Sequence, residues 1–188
     1  TYKGDGTHCT TETCTDGACC TKEEEEMVFV LQPDAANGID THLSENEPDH
    51  PKSSSGLAIG WYGWVGNSQI KRSLFRFDIS ELIGENLVSA NLQLVLYDLF
   101  PSNYSGSGEP CMIARVDRDW VENEATWNVW KTGSVWSSAE KGGDYSTLSG
   151  SIGNFPIVLD GIWTINQTIL LTLCQDAIDN RDGILNIA

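Results

Sequence analysis

The sequence predicts an all-β fold, a β-sandwich of jelly-roll type with one short helical turn and a Cys-rich N-terminal extension. Apolar residues recur with period two in several short runs, and Gly, Ser, Asn and Pro separate those runs. A helical spacing appears in a single stretch near the C-terminal end. At 188 residues the chain can bury one sizeable core and carry a tail, and it is short for two domains.

Taken in chain order, residues 23–26 are consecutive glutamates, a block of like charge that stays solvated. It separates an acidic, Cys-rich extension, residues 1–26, from a folded domain expected over residues 27–188. Val28 and Val30 alternate with Phe29 and Leu31 and read as an opening strand. Phe75, Phe77 and Ile79 share one strand face, with Arg76 and Asp78 opposite, where a salt bridge or loop anchor is the expected role. Val88, Ala90, Leu92, Leu94 and Leu96 fall on one side of a half-buried strand, and Ser89, Asn91 and Gln93 on the other. Met112, Ala114 and Val116 repeat the pattern, and residues 155–159, 163–171 and 183–187 supply further apolar runs. Thr172 is expected to cap the helical turn, with Leu173 and Ala177 four apart and Asn180 and Gly183 ending it. No internal repeat is evident.

Charge narrows the partners. With 27 acidic and 11 basic residues the net charge is -16, which repels nucleic acid and anionic lipid and suits an open aqueous surface. Calcium would settle on carboxylate-rich loops of such a surface. No stretch approaches the roughly 20 apolar residues of a membrane span, so membrane insertion is not expected. The chain opens at Thr1 with no leader, as after removal of a signal peptide, although a trimmed chain looks the same. Of the six cysteines, Cys9, Cys14, Cys19 and Cys20 crowd into the extension, where large apolar side chains are scarce and cross-links have to hold the shape. Zinc held by these thiols and His8 is the rival reading, but the spacing lacks C-x-x-C pairs. Cys111 and Cys174 lie inside the domain and either pair with each other or reach the extension. Asn103 and Asn166 head glycosylation sequons. Extracellular or cell-surface residence is the expectation.

Several stretches then resemble one family. Phe75-Arg-Phe-Asp-Ile-Ser80, Ala90-Asn-Leu-Gln-Leu94, Arg115-Val-Asp-Arg-Asp-Trp120, Glu122 and Thr126-Trp-Asn128 occur in the order and about the spacing of the DNRLRE, or disaggregatase-related, domain. Ile39-Asp-Thr41, Gly142-Gly-Asp-Tyr145 and Gly183-Ile-Leu185 extend the resemblance to most of the chain after Met27. It implies an extracellular β-sandwich found on surface proteins and beside polysaccharide-degrading enzymes, similar in some members to carbohydrate-binding modules, with no catalysis tied to the fold. Two departures stand out: the Cys-rich segment, and an end at Ala188 where the family pattern continues through at least one more strand. A sandwich without its closing strand exposes unpaired amides over an apolar groove. A trimmed chain, a strand from the same chain, or a strand donated by a neighbouring copy each account for it, and the last builds a polymer. Tyr2 in the extension and Ile184, Leu185 and Ile187 at the C-terminal end are the candidate assembly strands.

The aromatic residues are the sharpest chemical feature. Trp61, Tyr62, Trp64, Trp130 and Trp136 are candidate carbohydrate or subunit contacts, since indoles stack on sugar rings. Trp120 and Trp127 are expected instead to pin a long loop against the sandwich. Asp40 and Asp144 are the candidate ligands for a structural cation, although no cofactor is required. Asp176, Asp179 and Asp182 depart from calcium-loop spacing and read as solvated surface. No G-x-S-x-G motif occurs, and His8, His42 and His50 fall in loop-like segments, so catalysis is not expected. The resulting expectation is a non-catalytic extracellular protein that self-assembles into a filament or surface layer through strand donation, its partners being other copies of itself. A carbohydrate-binding module that takes polysaccharide on its aromatic loops is the alternative.

Overall fold

A computed structural model describes residues 27–31, 38–52, 57–64, 67–96, 110–137, 141–154 and 161–188. The chain divides into two compact units, residues 1–30 and 31–188. Tyr2, Cys9, Cys14, Cys19, Cys20 and Asn103 lie outside the described residues, as does the apolar run at 155–159.

Among the described residues the larger unit is all-β with one helix. Its strands are β1 (Gly38–Ser44), β2 (Gly60–Trp64), β3 (Asn67–Asp78), β4 (Leu92–Leu96), β5 (Pro110–Val116), β6 (Val129–Lys131), β7 (Ser134–Val135), β8 (Tyr145–Asn154), β9 (Gly161–Ile165) and β10 (Ile184–Ile187), with helix α1 (Thr168–Asn180) between the last two. Five strands run in the order β1-β3-β10-β5-β8, and β2 pairs with the early half of β3, making a six-stranded sheet. A two-stranded sheet, β4-β9, is separate, and β6-β7 forms a small ribbon. All pairings are antiparallel.

Alternation along β3 places a core on each face of the large sheet. Phe75 and Phe77 face one way and join Ile113, Ile152, Leu185 and Ile187, covered by α1 and by Trp163 and Ile165 of β9. Leu74 faces the other way and joins Leu43 and Val116, covered by Trp120, Trp127 and Trp136. A sheet buried on both faces carries apolar side chains at successive positions, as Leu74 and Phe75 show.

Five expectations need correction. Residues 28–31 form no strand, and all of residues 27–31 are exposed, because an alternation apolar on both sides has no solvent face and needs partners to hold it. The strand expected from Val88 begins only at Leu92, and Val88 is exposed. The run 163–171 splits, with β9 ending at Ile165 and α1 starting at Thr168. Leu170, Leu173, Cys174, Ala177 and Ile178 are buried along one helical stripe, a 13-residue helix rather than a turn. Thr172 sits inside it and donates its hydroxyl to the Thr168 carbonyl at 3.0 Å instead of capping. Gly150 of β8 lets the helix come close, since a Cβ there would lie 3.0 Å from Ile169 Cγ1.

Candidate functional site

The two faces of the large sheet are closed to different degrees. Over the Leu74 face, residues between β5 and β8 are tied down by cations. Arg76 rises from β3 and donates through Nε to Asn186 Oδ1 and through Nη2 to the Trp120 carbonyl, both at 2.7 Å, and pairs with Asp119 at 2.7 Å. Its guanidinium also lies 5.0 Å from the Trp120 ring centroid. Burial holds its pKa below the usual arginine value, opposed by the Asp119 charge. Arg72, four residues earlier on the same face, stands 5.0 Å from the Trp127 ring and 5.2 Å from that of Tyr145, and donates to the Lys141 and Gly142 carbonyls. Trp120 is fully buried and Trp127 nearly so, which is the pinning role expected of them. Arg76 is accordingly a loop anchor, while Asp78 is exposed and accepts the Ser80 amide at 3.0 Å.

Over the Phe75 face the cover is incomplete. Register pairs Leu92 with Ile165 and Leu94 with Trp163, so these four side chains share the inward face of the β4-β9 pair. Trp163 and Ile165 are buried there, whereas Leu92 and Leu94 are only half-buried. A groove of about 250 Å³ opens beside them, walled by Phe75, Ile113, Ile152 and Ile59, with Lys71 contributing a cation to its lining. Among the described residues β4 has one partner strand, β9, and so keeps its second edge of amides and carbonyls. An apolar groove bounded by an open strand edge has the chemistry to accept an extended segment. Main-chain hydrogen bonds would add to the edge and alternate side chains would fill the groove.

The residues singled out from the sequence are distributed differently than expected. Trp61, Tyr62 and Trp64 fall on β2, paired in register with Ile70, Gln69 and Asn67, and their side chains lie outside the described residues. Trp136 is buried and donates its indole N–H to the Thr126 carbonyl at 2.8 Å, so it is part of the core and not a contact for sugar or subunit. Trp130 is half-buried under Lys131, whose Nζ lies 4.5 Å from the ring centroid. Ile184, Leu185 and Ile187 are not a free donor strand, because β10 is hydrogen-bonded between β3 and β5 and Leu185 and Ile187 are buried. Asn166 is exposed in the link from β9 to α1. His42 lies in β1 and is buried, not in a loop.

The two carboxylates proposed as cation ligands have other surroundings. Asp144 accepts Arg118 Nε at 2.7 Å and the Ser137 amide at 2.9 Å, fixing the turn that precedes β8. Asp40 lies in β1, its pKa raised by burial. Among the described residues no three His, Cys, Asp or Glu side chains gather where they could hold a metal ion. Asp176 on α1 instead pairs with Arg115 of β5 at 2.8 Å, and this ion pair ties the helix to the sheet. Hydrogen bonding to Asp176 raises the Arg115 pKa. Cys174 is a free thiol facing the core, so the pairing of Cys111 with Cys174 is not formed. Burial pushes the Cys174 pKa up to about 11.

An open apolar groove was expected from the missing closing strand, but not its place, since Leu92 and Leu94 read as ordinary members of a strand. No protein-family model matches the chain, and no curated protein matches it either.

Proposed function

We propose that this protein is a non-catalytic extracellular structural subunit, a β-sandwich of jelly-roll type that assembles with other copies of itself by strand donation. One observation carries the reading: the apolar groove between the sheets, where Leu92 and Leu94 stay half-buried beside the edge of β4 that no strand among the described residues pairs. Exposed apolar surface next to unpaired backbone favours association, and an extended segment from a neighbour satisfies both at once. The ordered motifs resembling the DNRLRE domain support the same extracellular setting, with Phe75 and Phe77 of that motif in β3 and Trp120 and Trp127 closing the opposite face. The reading requires no cofactor. Electron microscopy of the unreduced protein, with sedimentation over a range of concentrations, tests it. Regular filaments or concentration-dependent oligomers are expected, and loss of them on reduction would place the extension's cysteines between subunits. Uniform monomers throughout would overturn it.

A carbohydrate-binding module is the second reading, favoured by the placement of Trp61, Tyr62 and Trp64 along the single strand β2. It expects monomers that bind a soluble polysaccharide and lose binding in Trp61→Ala.

A further inference from the structure

We propose that residues 27–31 are the donor strand, and that they enter the groove beside β4 of a second copy as the third strand of its β4-β9 sheet. The inference rests on the self-assembly reading and names its donor. Residues 27–31 read Met-Val-Phe-Val-Leu, the most strand-prone apolar run in this part of the chain. Every one of them is exposed: Met27 by 66%, Val28 by 86%, Phe29 by 46%, Val30 by 86% and Leu31 by 41%. Five consecutive uncovered apolar residues are an aggregation hazard unless a partner covers them. Their extended length, about 17 Å at 3.3 Å per residue, equals that of the five-residue strand β4 beside which they would lie.

The chemistry of donor and acceptor agrees on three counts. Alternation sends Met27, Phe29 and Leu31 to one side, the large side chains an apolar groove walled by Phe75, Leu94 and Ile113 accepts. Val28 and Val30 go to the other side. There Val95 and Ile162, paired in register and exposed on the outer face of the β4-β9 sheet, supply an apolar stripe for them to extend. The glutamates at 23–26 that precede the run carry charge opposite to Lys71, one of the chain's 11 basic residues, which lines the groove from the Phe75 side of β3. The half-buried state of Leu92 and Leu94, against the burial of Trp163 and Ile165, selects β4 over β9 as the receiving edge.

The test uses the full chain. Sedimentation of Phe29→Asp is expected to move the midpoint of self-association at least tenfold to higher concentration, with thermal unfolding of the subunit unchanged because the segment is exposed. Val135→Asp, a charge placed on an exposed apolar residue of β7, serves as control and leaves association as in the parent. A synthetic peptide of residues 23–31 is expected to inhibit assembly and to shift the methyl resonances of Leu92, Leu94 and Ile113, more weakly at high salt, and a scrambled peptide to do neither. Association of Phe29→Asp equal to the parent would overturn this donor while leaving self-assembly standing. A parent chain that stays monomeric at every concentration would sink both. Methyl shifts between Phe29→Asp and parent that persist at extreme dilution would show the segment in its own groove and overturn donation to a second copy.

Discussion

Leu74 and Phe75 are neighbours on β3 and point into opposite faces of one sheet, yet the two faces are finished in different ways. The Leu74 face is covered by irregular chain, held by three buried tryptophans and by the hydrogen bonds and ring contacts of Arg72 and Arg76. The Phe75 face is covered by regular elements, α1 and the β4-β9 pair, and among the described residues these leave a groove beside Leu92 and Leu94. A loop can adapt its path until every apolar group is covered, because side chains and ions satisfy its backbone. A sheet adds cover only in whole strands, so a shortfall remains as an edge.

The largest expected effect strikes the closed face. Trp120→Ala removes the fully buried indole beneath Arg76, and we predict a loss of about 3–5 kcal/mol in urea unfolding. An unchanged midpoint would mean the loop does not depend on that anchor. The open face should behave otherwise. Leu94→Ala truncates a half-buried side chain, so we predict only about 1 kcal/mol of lost subunit stability together with a clear weakening of self-association by sedimentation. If Leu94→Ala instead cost as much stability as Trp120→Ala, the groove would be ordinary core and the contrast between the faces would collapse.

The smallest effect concerns the helix that covers part of the Phe75 face. With its pKa pushed up to about 11, Cys174 should alkylate roughly a hundredfold more slowly at pH 8 than after unfolding, as read by peptide mass mapping. Because the folded chain holds this proton more tightly than the unfolded chain, the stabilisation is complete below the unfolded value. It is lost as the pH rises through about 11. Rapid alkylation of Cys174 in the folded protein would show that α1 opens readily and that this face is looser still.

Local pattern carried far in this chain. The alternation of Phe75 and Phe77 against Arg76 marked β3, and the loop-pinning roles of Trp120 and Trp127 were readable because large apolar residues in a polar loop have to find cover. Less legible was α1, whose first turn follows a strand rich in β-branched residues and looks like its continuation. Trp136 was misread as a surface contact, since nothing near it in sequence reveals the Thr126 carbonyl that receives its N–H. Strand β8, Tyr-Ser-Thr-Leu-Ser-Gly-Ser-Ile-Gly-Asn, is so poor in large apolar residues that its period two was hidden, although it pairs with β5 along most of its length.

By itself, then, the sequence determined what repeats over a few residues: strand class, the polar and apolar sides of β3, and the exposed charge of an acidic chain. Tertiary structure alone decided which strands pair. Arg76 meets Asn186 across 110 positions of chain, and β10 lies between β3 and β5 instead of standing free as a donor. Pairing depends on which edges and faces remain uncovered once the other elements have packed, a property of the assembled sheet that no short window of residues contains.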